Sequence, residues 1–289
     1  MQAIGFYLAL PFIYLISILP FPVLYLFSDF IFVLIYYVFG YRKKVVTENL
    51  RNSFPEKSEK EIAALRRKFY RYLCDLLLET FKTLSISKST MLKHCSMNEY
   101  SKKLFQKYSD EKKSIILVLG HLGNWEWGGN TFSIMCRQQL YVLYHPLENS
   151  YFNRLIINMR TRFGTKLISM KDAFRDMVKM KNEINATAFI ADQTPPPDNA
   201  YWTTFMNQDT PVFSGTEKIA RKLNYPVVFV NVQRIGRGNY ELMAEVLCEN
   251  PSSTSEGEIT EMHTKKLEKE IRKNPATWLW SHRRWKHKR

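Results

Sequence analysis

Gly120-His121-Leu122-Gly123-Asn124-Trp125-Glu126 is the stretch in which residue type and spacing most clearly suggest catalysis. A neutral imidazole can take the proton from a hydroxyl as that hydroxyl attacks an acyl carbon. A neighbouring carboxylate can fix the imidazole tautomer and stabilise the imidazolium that forms. His121 and Glu126 supply that pair, and such general-base assistance contributes typically ~10²–10⁴-fold. Asn124 suits the N-cap of a following helix, which places Glu126 in its first turn. A His at a strand end and a first-turn Glu can then face one pocket. An isolated His with a Glu five residues later arises often by chance, so the position of the pair in the fold carries much of the weight. Asp192-Gln193 opens a polar, Pro-rich loop (194–199) suited to lining a substrate cleft. No His/Asp/Glu cluster has metal-ligand spacing, so no metal is expected. Gly236 and Gly238 read as hairpin turn residues, not as a nucleotide-binding loop.

These residues need elements to hold them. Ser114 to Leu119 (SIILVL) is a continuous apolar run of the kind found in strands buried on both faces. It ends directly before His121, and in open α/β sheets ligands gather at the carboxyl ends of strands. Upstream, Ser58 and Glu61 have capping-box spacing, and Ile62, Leu65, Phe69, Leu73, Leu76 and Leu77 recur on one helical face into the low 80s. Residues 85–113 read as loop and short helix. Helix is predicted over 125–137, 150–163 and 171–182, and strand over 140–144, 166–169 and 186–191. Ser214 and Glu217 open a further capped helix, 226–234 and 239–248 form two strands joined by a turn, and a long helix runs from Ser255 to Lys273. Strands alternating with helices imply an α/β fold with a largely parallel central sheet flanked by helices.

The first forty residues are of another kind. Ala3 to Leu19 is uncharged and apolar, Pro20-Phe21-Pro22 interrupts, and Val23 to Phe39 is apolar apart from Ser28 and Asp29. Each half is close to the roughly 20 apolar residues that a bilayer core requires. No Lys or Arg precedes the run and no small-residue cleavage site follows it, which argues against a removed signal peptide. Arg42, Lys43 and Lys44 come directly behind, and by the positive-inside bias that end is cytoplasmic. The chain therefore divides into an N-terminal membrane-embedded helical segment, 1–40, and a catalytic body, 41–289. With 42 Lys and Arg against 27 Asp and Glu, the net charge of +15 seeks anions, and a membrane surface or phosphorylated lipid fits better than nucleic acid. Cys74, Cys95, Cys136 and Cys248 are scattered without a C-x-x-C pair and read as free thiols. Trp278, Trp280 and Trp285 beside Arg283, Arg284, Lys286, Lys288 and Arg289 read as a headgroup-region cluster.

Five blocks then fall in the order known from one family. They are Tyr41 to Val46 with Asn49-Leu50 and Phe54-Pro55-Glu56, Gly120 to Glu126, Arg160 to Gly164, Ala191-Asp192-Gln193, and Trp280 to Trp285. Over nearly its whole length the sequence resembles the late acyltransferases of lipid A biosynthesis, the lauroyl/myristoyl transferase group of the lysophospholipid acyltransferase superfamily. The resemblance implies a membrane-bound enzyme on the cytoplasmic face of the inner membrane. It implies an acyl carrier protein thioester as donor, no further cofactor, and a hydroxyl on a phosphorylated lipid A precursor as acceptor. It implies His121 and Glu126 as the catalytic pair and Arg160 near the reaction centre, where a guanidinium could hold phosphate or a developing oxyanion. Asn124, Asp192, Gln193, Arg283 and Arg284 are carried over as substrate-binding residues. One position departs from the pattern. Many members have Tyr-Arg-Pro where this chain has Tyr144-His145-Pro146, so a permanent cation becomes a group that titrates near neutrality. Two other readings of the residues stay open: acyl transfer to another lipid, such as a lysophospholipid or aminolipid, and a non-enzymatic basic protein binding membrane or nucleic acid.

Overall fold

A computed structural model of the chain describes residues 2–287 and residue 289, so Lys288 of the basic tail lies outside the described residues. In chain order the helices are α1 (Gln2–Ile18), α2 (Phe21–Val33, with one π-turn extending it to Val38), α3 (Lys43–Ser53), α4 (Glu59–Lys82), α5 (Lys88–His94) and α6 (Glu99–Asp110). They continue as α7 (Trp125–Met135), α8 (Ser150–Thr161), α9 (Ala173–Lys179), α10 (Gly215–Leu223) and α11 (Glu258–Lys273). The strands are β1 (Cys95–Met97), β2 (Ile115–Leu119), β3 (Gln139–Tyr144), β4 (Lys166–Ser169), β5 (Asn185–Ile190), β6 (Tyr201–Phe205), β7 (Gln208–Val212), β8 (Val227–Gly236) and β9 (Asn239–Cys248).

Seven strands form one sheet in the order β1-β9-β8-β2-β5-β3-β4. Every pairing is parallel except the β8–β9 hairpin. The sheet is mixed α/β and mostly parallel, as the alternation of elements predicts. Residues alternate across it. Ile116 and Val118 join one hydrophobic cluster with Phe189, Phe229 and Leu267, while Ile115 and Leu117 join a second with Ala188, Val230 and Leu242. Both faces of β2 are covered, which is why it reads as an unbroken apolar run.

The capping box on α4 forms: Ser58 Oγ accepts from the Glu61 amide at 3.4 Å, and Glu61 accepts from the Ser58 amide at 2.9 Å. Ser214 makes no such cap. Its intended partner Glu217 turns instead to the start of α11, where it accepts from the amides of Gly257 and Thr260 at 2.6 and 2.9 Å. Two regions differ from the sequence-based expectation. Residues 85–113, expected as loop and short helix, hold the short helix α5 but also the strand β1 and the 12-residue helix α6. The polar stretch beyond Gln193 runs into a separate antiparallel pair, β6–β7, turned through Met206 and Asn207, both at positive φ. The Trp cluster also differs. Trp278 and Trp280 are 2 % and 0 % exposed and pack edge to face at 4.7 Å inside the core, so they do not form a headgroup belt.

Helices α1 and α2 present rows of exposed apolar side chains, among them Leu8, Phe12, Leu26 and Phe30. The segment Phe21–Val38 is long and apolar enough to cross a membrane. Its inner side lies on α4 and carries the buried Leu24, Phe32 and Tyr36 together with Ser28. Ser28 donates to Asp75 at 2.6 Å, and Arg237, from the β8–β9 turn, pairs with Asp29 at 2.9 Å and Asp75 at 2.8 Å.

One buried histidine gives the fold a testable pH dependence. His263 of α11 is buried with its Nε2 unpartnered among the described residues, and burial pushes its imidazole down from 6.5 to about 4. A depressed base must stay neutral to remain folded, so stability is full above 6.5 and is lost as pH falls toward 4. The loss reaches on the order of 3 kcal/mol, given 1.36 kcal/mol per unit. Unfolding curves of His263→Met in detergent should flatten between pH 7 and 5 relative to the parent; parallel curves would refute the assignment.

Candidate active site

The site follows from the register of two neighbouring strands. In the parallel pair β2–β5, Leu119 lies opposite Ile190. Two residues further on each strand stand His121 and Asp192, side by side at the carboxyl edge of the sheet. Asp192 Oδ1 meets His121 Nδ1 at 2.6 Å, and Asp192 Oδ2 accepts from the His121 amide and from Trp278 Nε1, each at 2.7 Å. Burial alone would raise the Asp192 carboxyl, but the facing His121 and these donors outweigh it and hold it at about 2. An ionised carboxylate only accepts, so Nδ1 carries the imidazole proton and Nε2 is left with its lone pair. The Gln193 carboxamide nitrogen lies 3.4 Å from Nε2. The Trp125 ring stands edge to face against the imidazole at 4.8 Å.

The carboxylate on His121 is therefore Asp192, where the sequence reading placed Glu126. Glu126 does sit in the first turn of α7, but it faces Arg160 on α8: Arg160 Nε lies 3.0 Å from Oε2 and Nη2 lies 2.5 Å from Oε1. Burial works against the Arg160 cation, and Glu126 across it more than restores it, so its guanidinium is raised above the ordinary value. The structure thus holds two pairs, His121–Asp192 and Glu126–Arg160, flanking one opening.

The loop between β2 and α7 is shaped by close backbone approach. Gly123 has φ +62°, and a Cβ there would lie 1.6 Å from the Val232 carbonyl oxygen. The loop is stitched to the C-terminal segment, with the Gly123 amide donating to Thr277 O at 2.9 Å and the Leu279 amide donating to His121 O at 3.1 Å. Tyr72 of α4 donates to Gly123 O at 2.6 Å. This explains both glycines of the motif, since a Cβ at Gly120 would press on Leu267 and on Asp192 Oδ2.

Below His121 a cavity of about 470 Å³ runs between α7 and the sheet. His121, Glu126, Arg160, Gln193 and His145 stand among its lining residues, and Leu117, Leu119, Ala188, Ile190, Val230 and Val232 line it from the sheet. Such a volume and lining suit a flexible apolar chain with its reactive end beside His121.

Three residues read as substrate-binding stand elsewhere. Asn124 is fully buried: its side-chain oxygen caps α7 by accepting from the Trp127 amide at 3.0 Å, and its Nδ2 donates to Glu79 at 2.9 Å. Both ends of its carboxamide are thereby engaged. Arg284 is 1 % exposed and donates to Pro211 O at 2.7 Å, within the core and not at the cavity. Arg283 is exposed and does not line the cavity. Sequence reasoning passed over Glu79, which is fully buried under the motif and accepts from Asn124, from Tyr240 Oη at 2.7 Å and from Tyr25 Oη at 2.9 Å. A Glu within the apolar stripe of α4 was the available signal. Among the described residues no group of His, Cys, Asp and Glu could hold a metal ion.

The sequence profile of the bacterial lipid A biosynthesis acyltransferases matches residues 1–287. No curated protein matches the chain.

Proposed function

Because the chain belongs to the bacterial lipid A biosynthesis acyltransferase family, we propose that it moves a fatty acyl chain from an acyl carrier protein thioester to a hydroxyl of a phosphorylated lipid A precursor. The observation that carries this reading is the 2.6 Å contact between His121 Nδ1 and Asp192 Oδ1 at the mouth of an apolar cavity. The acceptor hydroxyl gives its proton to His121 Nε2 while its oxygen bonds to the thioester carbonyl carbon. The tetrahedral intermediate then collapses, the C–S bond breaks, and the proton passes from Nε2 to the departing thiolate. Asp192 holds the ring and stabilises the imidazolium. Arg160 Nη1, which the pairing with Glu126 leaves over, is suited to donate to the oxyanion. Glu126 in this reading aims Arg160.

Residues 1–40 act as the membrane-embedded part, with the apolar rows of α1 and α2 in the lipid and Arg42, Lys43 and Lys44 at headgroup level on the cytoplasmic side. That placement would set the cavity mouth near lipids of the inner leaflet and let a soluble carrier protein approach.

Transfer of labelled acyl chains from acyl carrier protein to a tetra-acylated precursor tests the reading. The parent chain should transfer, and His121→Ala should lose a hundredfold or more. Equal transfer by both would remove His121 as base. Transfer to a lysophospholipid or aminolipid in place of the precursor would reassign the acceptor.

A further inference from the structure

Helix α8 stands between two spaces. Its last turn carries Arg160 to the catalytic cavity, and its first half forms one side of a separate groove of about 390 Å³ against α1. The α1 side is aromatic and aliphatic, with Phe6, Tyr7, Leu10 and Tyr14. Phe6 stacks on Tyr151 at 5.5 Å and meets Phe152 edge to face at 5.1 Å, and Leu155 is buried in the same cluster. The α8 side adds a polar row. Ser150, Arg154 and Asn158, four residues apart, stand one above another on one face of the helix, and all three are exposed. No Asp or Glu among the described residues lines the groove, so the Arg154 guanidinium faces it without a counter-charge there. Cations on the neighbouring helix α9 are answered within their own turn, Arg175 by Asp172 at 2.6 Å and Lys179 by Asp176 at 3.3 Å.

We propose that the α1–α8 groove seats one anionic phospholipid of the bilayer, its phosphate on Arg154 and an acyl chain along the wall of Phe6, Leu10 and Leu155. The inference rests on the proposed embedding of residues 1–40 in lipid. A guanidinium grips a phosphate through paired N–H donors, and the Ser150 hydroxyl and Asn158 amide, each about 6 Å along the helix from Arg154, supply further ones. Tyr7, Tyr14 and Tyr151 are exposed, and such rings sit at headgroup level with the hydroxyl toward water. Basic pockets beside embedded helices take anionic headgroups in the same way. A phosphorylated disaccharide fits the groove less well, because most of its hydroxyls would face tyrosine and leucine walls without partners. The seated lipid bridges α1 to the helix that carries Arg160, which lies six residues and about 9 Å beyond Arg154. It thereby ties the membrane-facing helix to one flank of the catalytic opening.

The test weighs the full chain intact by native mass spectrometry after exchange into lipid-free detergent and addition of phosphatidylglycerol and phosphatidylcholine in equal amounts. The parent should retain one phosphatidylglycerol, favoured about fivefold or more over phosphatidylcholine. Arg154→Gln should bring that ratio to about one, and Arg154→Lys should keep most of it. Arg154 is exposed, so neither change threatens the fold. Arg175→Gln, on α9, should leave the ratio as in the parent. No retained lipid, no headgroup preference, or a preference that survives in Arg154→Gln overturns the proposal. Displacement of phosphatidylglycerol by an equal concentration of tetra-acylated lipid A precursor also overturns it, and assigns the groove to the acceptor. Flotation of the parent with phosphatidylglycerol vesicles reads the embedding separately. A chain that floats but retains no lipid sinks the groove alone, and one that does not float removes the embedding and the groove together.

Discussion

Asp192→Asn should lower the transfer rate by about 10³–10⁴-fold while leaving the fold intact. The amide can present its NH₂ to His121 Nδ1, which then loses its acceptor and flips the imidazole to the wrong tautomer. The same exchange in a Ser-His-Asp triad costs about 10⁴ in rate. Oδ2, which accepts from the His121 amide and Trp278, would keep the loop in place. Glu126→Gln acts differently. It weakens the bidentate hold on Arg160 and misplaces a positioned cation, an effect on the order of 10²-fold. Single-turnover rates of the two variants separate the carboxylates: Asp192→Asn should be the worse by a clear margin. If Glu126→Gln is the worse, the role of orienting His121 returns to Glu126.

The second large effect is on stability. Glu79→Leu should destabilise the protein by roughly 3–5 kcal/mol, because it strands Tyr240 and Asn124 as buried donors, each costing about 1–3 kcal/mol, and Tyr25 as a half-buried one. Glu79→Gln keeps one acceptor oxygen and nearly the same volume, so it should recover at least half of that loss. Burial pushes the Glu79 carboxyl up, which makes a neutral amide a fair substitute. Because Asn124 caps α7, Glu79→Leu should also loosen the helix that carries Glu126. Chemical unfolding in detergent gives the comparison. Equal losses for Leu and Gln would mean that packing, not the acceptor, governs the site.

Much of the fold was readable because its signals are local. The α4 capping box, the apolar run of β2 and the strand–helix alternation through residue 190 each depend on residues within a few positions of one another. The sites of difference are of another kind. His121 and Asp192 are 71 residues apart in sequence, and they meet because β2 pairs with β5 rather than with β3. Strand order is a tertiary property, so the nearer carboxylate, Glu126, looked like the partner. Arg160 lines the opening, but its own partner, 34 residues back, depended on how α8 packs against α7. The β6–β7 hairpin turns through Met206 and Asn207, without the Asn-Gly or Asp-Gly pair that marks such turns. Trp278 and Trp280 next to a run of cations resembled an interfacial belt. Their burial reflects the return of the C-terminal segment to support the His121 loop, which composition does not show.

Arg237 bridges Asp29 on α2 and Asp75 on α4, while Ser28 reaches the same Asp75. A protein shortened to begin near residue 41 would lose more than two apolar helices. Asp75 would lose its serine donor, Arg237 would lose one of its two carboxylates, and the α4 face that α2 covers would be opened to water. Such a fragment, made to obtain a soluble enzyme, should aggregate or unfold rather than work in free solution. Any preparation of the working protein would have to keep the first two helices.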